Sequence, residues 1–246
     1  SVPLTGRKQV LLVSDQEVLS SSLTQYSDYM KSAKKSSSKD GAAMVTRVGK
    51  KIAAATEQYL RNNGLESEIK NFAWEFNLVN DPQVNAFCMP GGKIVVYEGL
   101  MQLVSSDDEL AVVVGHEVAH AVAKHSNERM SQQLMAQYGA QILGQALSNK
   151  SAAVQKIGAS VYGLGAQYGV MLPFSRKHES EADYMGLVFM AMAGYNPAVA
   201  VNFWQKMSAG KSGSTPEFMS THPSDATRIN EIKQHLPEIE KYRVKK

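Results

Sequence analysis

The sequence has very little cysteine, and this scarcity limits the kinds of site it can hold. Its 246 residues include one cysteine, Cys88. A single thiol cannot form an internal disulfide, and it excludes a structural zinc site built from several cysteines. We therefore expect the chain to be held together by its hydrophobic core, because 43% hydrophobic residues at this length are enough for one large domain or two small ones.

Long apolar runs, strong charge bias and phosphate-binding loops are also missing. No run of about eighteen or more apolar residues occurs, so we expect no transmembrane helix. The 26 lysine and arginine residues exceed the 23 aspartate and glutamate residues by a net charge of +3, which is too mild to favour a nucleic-acid partner. Nothing matches the GxxxxGK(S/T) pattern of nucleotide-binding loops.

The first part of the chain predicts an extended arm and two helices. Residues 1–13 are interpreted as the arm. Ser14 and Glu17 form a capping box, which predicts a helix to about residue 30. The lysine- and serine-rich residues 31–40 are interpreted as a solvated loop, with contact to an anionic surface as the alternative. A stripe of apolar side chains predicts the second helix over residues 42–63.

Alternation at period two marks the following segment as β structure. A strand is expected from about residue 71, with these apolar side chains on one face: Phe72, Trp74, Phe76 and Leu78. Residues 84–87 and 93–97 flank Pro90-Gly91-Gly92 and predict a hairpin with a glycine turn.

The second half of the chain is mostly helical by its pattern. Residues 129–178 contain no acidic residue. We interpret residues 129–175 as a helical hairpin that packs on the domain, with a membrane-facing role or a lid over a site as the alternatives. The remaining predicted segments are helices over 175–193, 196–207 and 224–235 and a loop over 210–215.

The sharpest motif is His116-Glu117-Val118-Ala119-His120, an HExxH sequence. A capping box at Ser106 and Glu109 opens the helix that contains it, predicted over residues 110–124. Histidines four residues apart lie on one helical face and can hold one metal ion, with Glu117 near a metal-bound water. The alternative is a helix with two hydrogen-bonded core histidines and no metal. It is disfavoured because burying the His-Glu-His group without a partner costs free energy.

A catalytic zinc ion needs a third protein ligand. The metzincin pattern is excluded, because Ala123 and Ser126 stand where that class has glycine and histidine. His125 is rotated off the binding face of the helix, so we interpret it either as a surface group or as a residue that supports a ligand.

Two glutamates, Glu179 and Glu181, remain as candidates for the third ligand. Asp183 lies one helical turn after Glu179, where it can accept the outer N–H of a ligand histidine. Spacing alone does not choose between the two glutamates, and a solvated charged face is the alternative to both.

The HExxH motif together with the distal Glu179-x-x-x-Asp183 resembles the HtpX, LoiP, BepA and Oma group of zinc metallopeptidases, peptidase family M48, which also holds the CAAX prenyl proteases. The resemblance spans about residues 40–236 and includes further motifs: residues 84–87, Pro90-Gly91-Gly92, Gly99-Leu100, Thr221-His222-Pro223 and Arg228. It implies that Glu179 is the third ligand, that each chain binds one Zn²⁺, and that Asp183 supports a ligand. It also implies a single α+β, zincin-like metallopeptidase domain over residues 1–246, mostly helical, with a small sheet bordering the cleft.

The predicted site suggests roles for further residues. Glu117 is expected to take a proton from a zinc-activated water and to pass it to the leaving amine. His222 and Arg228 are the candidates for stabilising the oxyanion, and His222 has a fourth zinc ligand as its alternative role. The strand edge at Asn85, Ala86 and Phe87 is expected to bind an extended substrate.

The resemblance finally implies a function and a setting. We expect a zinc endopeptidase that cleaves unfolded or flexible polypeptides in bacterial envelope quality control, in the periplasm or attached to the outer membrane as a lipoprotein, with a lipid anchor before residues 1–7. Two alternatives stay open: a chaperone-like protein that binds chains in the same cleft, and a hydrolase of non-peptide amides. Cys88 is expected to be a small core residue and not a nucleophile.

Overall fold

The structure, a computed structural model, describes residues 1–139, 152–154, 174–209, 216, 218–224 and 226–244. Its longer elements in these ranges are α1 (Asp15–Ser32), α2 (Lys39–Asn62), β1 (Glu75–Val79), β2 (Ala86–Met89), β3 (Lys93–Tyr97), α3 (Glu98–Met101), α4 (Asp107–Val122), α5 (His125–Tyr138), α6 (Arg176–Met192), α7 (Ala200–Ala209), α8 (Phe218–Thr221) and α9 (Ala226–Ile239). Short 3₁₀ turns occupy Glu66–Asn71, Pro197–Val199 and Glu240–Tyr242. Among these described helices, none combines the length and apolar character needed to cross a bilayer.

The three strands form one sheet in the order β1-β3-β2. β2 and β3 are an antiparallel hairpin in which Cys88 lies opposite Ile94, and β1 joins β3 in parallel. In the hairpin turn Gly91 and Gly92 have φ of +97° and +86°, a region that glycine adopts without steric cost. The predicted hairpin is therefore confirmed, and within the described residues β2 pairs on one side only.

Hydrophobic clusters cover both faces of the sheet. The larger cluster joins α2, α4, α6 and α7 to one face, and β2 contributes Ala86 and Cys88 to it. The smaller cluster packs α1 and α5 on the other face, where β2 contributes Phe87 and Met89. The predicted α+β class, mostly helical with a small sheet, is confirmed.

Two predicted boundaries are wrong. α2 begins at Lys39 because the Ser38 side chain caps it by accepting from the N–H of Gly41, so the predicted loop is shorter than residues 31–40. The first strand begins at Glu75 and not near residue 71, since Glu66–Asn71 forms a 3₁₀ turn. Phe72 and Trp74 stack on each other before the strand, with ring centroids 4.7 Å apart.

The helix predicted over residues 175–193 is present as α6, and Ser175 caps it. The hairpin predicted over residues 129–175 is described only at its ends, where α5 runs to Tyr138. Its remainder and the loop predicted over residues 210–215 lie outside the described residues, so the lid and the single-domain organisation stay predictions.

Candidate active site

The central helix of the site is α4, which the predicted capping box opens. The Ser106 hydroxyl accepts from the N–H of Glu109 at 3.2 Å. Apolar side chains surround α4 on nearly every side, so His116, Glu117 and His120 are each at most 3% exposed. Burial of three polar groups on one helix requires partners from neighbouring elements.

α6 supplies those partners because it packs very closely on α4. A Cβ atom at Gly115 would lie 2.6 Å from the carbonyl oxygen of Gly186, and one at Gly186 would lie 2.7 Å from the backbone nitrogen of His116. Only glycine permits such an approach of two backbones. Two turns before Gly186, α6 therefore carries Glu179 to the histidine pair.

The ligand atoms of this group converge. Nε2 of His116 and Nε2 of His120 are 3.1 Å apart, and each lies 3.0 Å from one carboxylate oxygen of Glu179. His222 joins the same group: one ligand atom from each of the four residues lies within 4.8 Å of the other three. The structure thus brings together the three residues predicted as metal ligands, and it places Glu179, rather than Glu181, against both imidazoles.

The geometry and charge of this group fit a zinc ion. Atoms that bind one tetrahedral zinc at about 2.0–2.1 Å lie roughly 3.3 Å from one another. Both Glu179 oxygens are buried without an aligned hydrogen bond to any described residue, although two imidazoles are close. Burial opposes the charged form of His116, but Glu179 and Asp183 raise its pKa to about 9, whereas burial lowers the pKa of His120 well below its usual value.

Asp183 lies behind His116, as predicted. Its Oδ1 is 3.0 Å from Nδ1 of His116, on the side of the ring away from Glu179. Arg228 of α9 donates from Nε and Nη2 to the two Asp183 oxygens at 2.7 and 2.8 Å. A carboxylate held this way lies where it can accept the Nδ1–H of His116 and so orient the imidazole.

The structure corrects the predicted role of Arg228. Besides Asp183, its guanidinium donates to the carbonyl oxygen of Pro223 at 2.7 Å and lies 3.2 Å from Glu179. Arg228 is 2% exposed, and these partners occupy its donor groups. It therefore positions the carboxylates of the site, and it does not face a substrate oxyanion.

His222 faces Glu117, with its Nε2 2.9 Å from the Glu117 carboxylate. Phe218 stacks on the imidazole with ring centroids 4.0 Å apart, and the carbonyl oxygen of Phe218 lies 3.2 Å from Nδ1. Glu117 also accepts from the backbone N–H of Cys88 at 3.3 Å. The predicted base is thus held between the metal-ligand group and β2.

A small cavity opens on this side of Glu117. Its lining includes the three predicted substrate-binding residues together with the side chains around the base: Asn85, Ala86, Phe87, Cys88, Glu117, Ser126, Arg129, Phe174, Thr221 and His222. Asn85, Ala86 and Phe87 are all buried in the structure. The β2 edge therefore borders the site, but it is covered here.

Cys88 behaves as the sequence predicts. Its thiol is buried, and burial together with the nearby Glu117 raises its pKa well above the usual value. A thiol that stays protonated is a poor nucleophile.

Two residues near the site have positions that helical spacing does not predict. His125 is buried and its Nδ1 lies 2.7 Å from Nδ1 of His120, so the surface interpretation is wrong. α4 ends before Lys124, whose φ of +58° turns the chain back toward His120. Arg129 lines the cavity with its guanidinium 3.6 Å from the Phe174 ring, and burial lowers its pKa to about 9.

The fold and the site define a metallopeptidase of the HExxH class, and comparisons give the family. The model of peptidase family M48 matches residues 46–236. The chain therefore belongs to peptidase family M48, which confirms the resemblance found in the sequence.

Named relatives agree with this assignment. The chain is 36% identical over 205 residues to the mitochondrial metalloendopeptidase OMA1 of Schizosaccharomyces pombe, covering 80% of this chain and 53% of that protein. It is 40% identical over 168 residues to the OMA1 protein of Arabidopsis thaliana, covering 68% and 33%. It is 33% identical over 174 residues to the beta-barrel assembly-enhancing protease of Yersinia pestis, covering 66% and 36%. The chain thus spans between about a third and about half of the length of these relatives.

Proposed function

We propose that the chain is a zinc-dependent endopeptidase that hydrolyses peptide bonds in unfolded or flexible polypeptides. The convergence of His116, His120 and Glu179 at 3.0–3.1 Å, with Glu117 beside them, carries this proposal. Membership of peptidase family M48 and the metalloendopeptidases among its relatives support peptide bonds as the target.

The residues of the site have distinct proposed roles. His116, His120 and Glu179 would hold Zn²⁺, which when bound acts as a Lewis acid and lowers the pKa of a coordinated water toward about 7. Glu117 takes the proton of the attacking water and delivers it to the leaving amine. Asp183, held by Arg228, keeps the His116 imidazole oriented with its outer N–H toward the carboxylate.

His222 is proposed to stabilise the oxyanion. The Thr221 hydroxyl lies 2.9 Å from its Nδ1 and can donate to it, which places the ring proton on Nε2, the nitrogen that points toward Glu117. An N–H at this position would donate to charge that develops in the transition state. The alternative role for His222 is a fourth metal ligand in the resting state. The ligand atoms of His222, His116, His120 and Glu179 all lie within 4.8 Å of one another, which also permits this role.

The substrate is proposed to bind as an extended strand along β2. Within the described residues β2 has a strand partner only in β3, and its other edge borders the cavity beside Glu117. Because Asn85, Ala86 and Phe87 are buried, binding requires the cavity to widen. Flexible segments suit such a site, since main-chain hydrogen bonds supply most of the contact.

Protein quality control in the bacterial envelope is the proposed setting, in the periplasm or at the outer membrane through a lipid anchor. The beta-barrel assembly-enhancing proteases among the relatives support a bacterial location. The mitochondrial OMA1 metalloendopeptidases support a mitochondrial location equally well. Fractionation of the source cells separates the two settings.

The proposal is tested by digesting an unfolded protein such as casein with wild type and Glu117→Gln. We expect cleavage by wild type that a zinc chelator abolishes and added zinc restores. The variant should lose activity by about 10²–10⁴-fold or more while its zinc content stays the same, because only the proton carrier is removed. Glu238→Gln is the matched control, since Glu238 is an exposed carboxylate that bonds Tyr184.

Other outcomes identify the alternatives. A wild type that suppresses aggregation without cleaving, equally well as Glu117→Gln, would contradict the proposal and favour a chaperone-like binder. Chelator-sensitive cleavage of small amides but not of casein would favour a non-peptide hydrolase.

A further inference from the structure

A second group of ionisable residues, buried except for the half-buried Arg7, lies directly behind His120. It consists of His125, Glu128, His178, Glu181 and Arg7, and we refer to it as the Arg7 cluster. Arg7 belongs to the N-terminal arm, whereas the other four residues belong to α5 and α6. None of these residues is among the proposed zinc ligands, but one of them touches a ligand.

A continuous chain of contacts runs from His120 to this cluster. Nε2 of His120 faces Glu179, and its Nδ1 lies 2.7 Å from Nδ1 of His125. On the far side of the second ring, Nε2 of His125 lies 2.7 Å from Oε1 of Glu181. All three side chains are buried.

The chain of contacts has one proton arrangement that suits a metal site. A ligand nitrogen must present a lone pair, so the proton of His120 resides on Nδ1 and is donated to His125. His125 then carries its own proton on Nε2 and donates it to Glu181. One neutral histidine and one carboxylate thereby orient the His120 ring, which is the role a carboxylate plays alone behind His116.

Arg7 fixes the end of this chain. It donates to Glu181 from Nε at 3.0 Å and from Nη2 at 2.9 Å, and Thr5 adds its hydroxyl at 2.8 Å. Nη1 of Arg7 reaches Glu128 at 3.1 Å. A guanidinium bound to two carboxylates restricts both, so Glu181 has little freedom to leave His125.

The same cluster is not arranged as a second metal site. His125, Glu128 and His178 have ligand atoms within 4.8 Å of one another. However, the His125 and His178 rings stack with centroids 4.2 Å apart and an interplanar angle of 19°, so their nitrogen lone pairs run side by side and do not converge. Arg7 already supplies the positive charge that the two carboxylates need.

The arm that carries Arg7 is attached along the junction of α4 and α5. Gln9 donates from Nε2 to the carbonyl oxygen of Ala123 at 2.8 Å, at the end of α4. The backbone N–H of Leu12 donates to the Ser131 hydroxyl at 2.8 Å, and Asn127 donates to the carbonyl oxygen of Val13 at 2.8 Å. These bonds place Arg7 reproducibly against the cluster.

We infer that His125 and Glu181 are positioning residues of the zinc site and that Arg7 couples the docked N-terminal arm to zinc affinity. The inference rests on the proposed function, since it assumes that His120 binds zinc. Losing the partner of a ligand histidine typically lowers metal affinity by about 10–100-fold.

Zinc release from the full chain tests this role. The zinc-loaded protein is mixed with excess chromophoric chelator, and the dissociation rate is compared among variants. Glu181→Ala should release zinc faster than wild type, by up to the roughly 10–100-fold that losing the direct partner of a ligand histidine costs. Glu181→Gln keeps an oxygen that accepts from His125, so it should recover most of the loss.

Glu128→Ala is the matched control. Glu128 is as buried as Glu181 and shares Arg7 with it, but it bonds His178 and not His125. This variant should lose stability yet release zinc much more slowly than Glu181→Ala, because Arg7 keeps its bonds to Glu181. The visible spectrum of the cobalt-substituted protein, which reports the ligand field, should change in Glu181→Ala and stay unchanged in Glu128→Ala.

The outcomes separate the inference from the proposed function. Equal zinc release in Glu181→Ala and wild type, or equal acceleration in Glu181→Ala and Glu128→Ala, overturns the positioning role while leaving the zinc site intact. A wild type that binds no zinc overturns the proposed function, and the inference with it. If Glu181→Ala does not fold, Arg7→Gln is used in its place. It should accelerate zinc release several-fold, because Glu181 remains but no longer bonds a guanidinium. An unchanged rate of zinc release in Arg7→Gln overturns the coupling between the arm and zinc affinity.

Discussion

At the scale of single residues, His222 has the most informative substitution. Its Nε2 lies 2.9 Å from Glu117, where it can donate to an oxyanion. We expect His222→Ala to lower kcat by about 10²–10³-fold with little change in KM, because a transition-state interaction is lost. Steady-state kinetics on a fluorogenic peptide measure both constants. A higher kcat in the variant would contradict this role and identify His222 as a resting-state ligand.

Individual site residues differ in how well the sequence predicts them. The spacing of His116, Glu117 and His120 predicts their common face, because a helix repeats locally. Glu179 needed the family resemblance, since spacing alone left Glu181 equally possible. The direction of the Arg228 side chain depends on where α9 docks against α6, and no local pattern in the sequence encodes that.

At the scale of elements, the crossing of α4 and α6 determines whether the ligands meet. An alanine at Gly186 would place its Cβ 2.7 Å from backbone atoms that cannot rotate away. The steric overlap in Gly186→Ala should cost about 1–3 kcal/mol of the free energy of unfolding. The higher helix propensity of alanine offsets at most about 1 kcal/mol of this cost. It should also speed zinc release, since Glu179 moves relative to His116.

Gly49→Ala is the control for this prediction. The new Cβ on α2 would lie 2.3 Å from the half-buried Phe76 ring of β1, away from the ligands. Denaturant unfolding should show a comparable loss of stability, while zinc release should match wild type. Equal zinc release in all three proteins would show that the helix crossing does not set the site.

Helix starts were more predictable than turns and strand starts. Ser14, Ser106 and Ser175 each cap the helix that the sequence places after them. The turn at Lys124 was not predictable, because lysine rarely adopts a positive φ. For the same reason the sequence left two interpretations of His125, and only the folded chain shows it against His120.

At the scale of the whole molecule, buried carboxylates link stability to pH. Burial would raise the pKa of Glu128, but hydrogen bonds from His178, Arg7 and Gln9 outweigh this and lower it from 4.5 to about 2. A depressed carboxylate pKa contributes stability above the unfolded value and loses it as pH falls. The free energy of unfolding should therefore decline between about pH 4.5 and 2.

Glu128→Gln isolates this contribution. Its unfolding free energy should depend less steeply on pH over that window than the wild-type value, and acid release of zinc is common to both proteins. Denaturant titrations at several pH values measure the two slopes. Parallel slopes would show that Glu128 is not held ionised by the arm.

The central claim is that each chain binds one zinc ion through three protein ligands. The most direct test is X-ray diffraction from zinc-loaded crystals, recorded at wavelengths on both sides of the zinc absorption edge. We predict one anomalous peak per chain, about 2.0–2.2 Å from Nε2 of His116, Nε2 of His120 and an oxygen of Glu179. A peak among His125, Glu128 and His178 instead, or no peak between α4 and α6, would contradict the account.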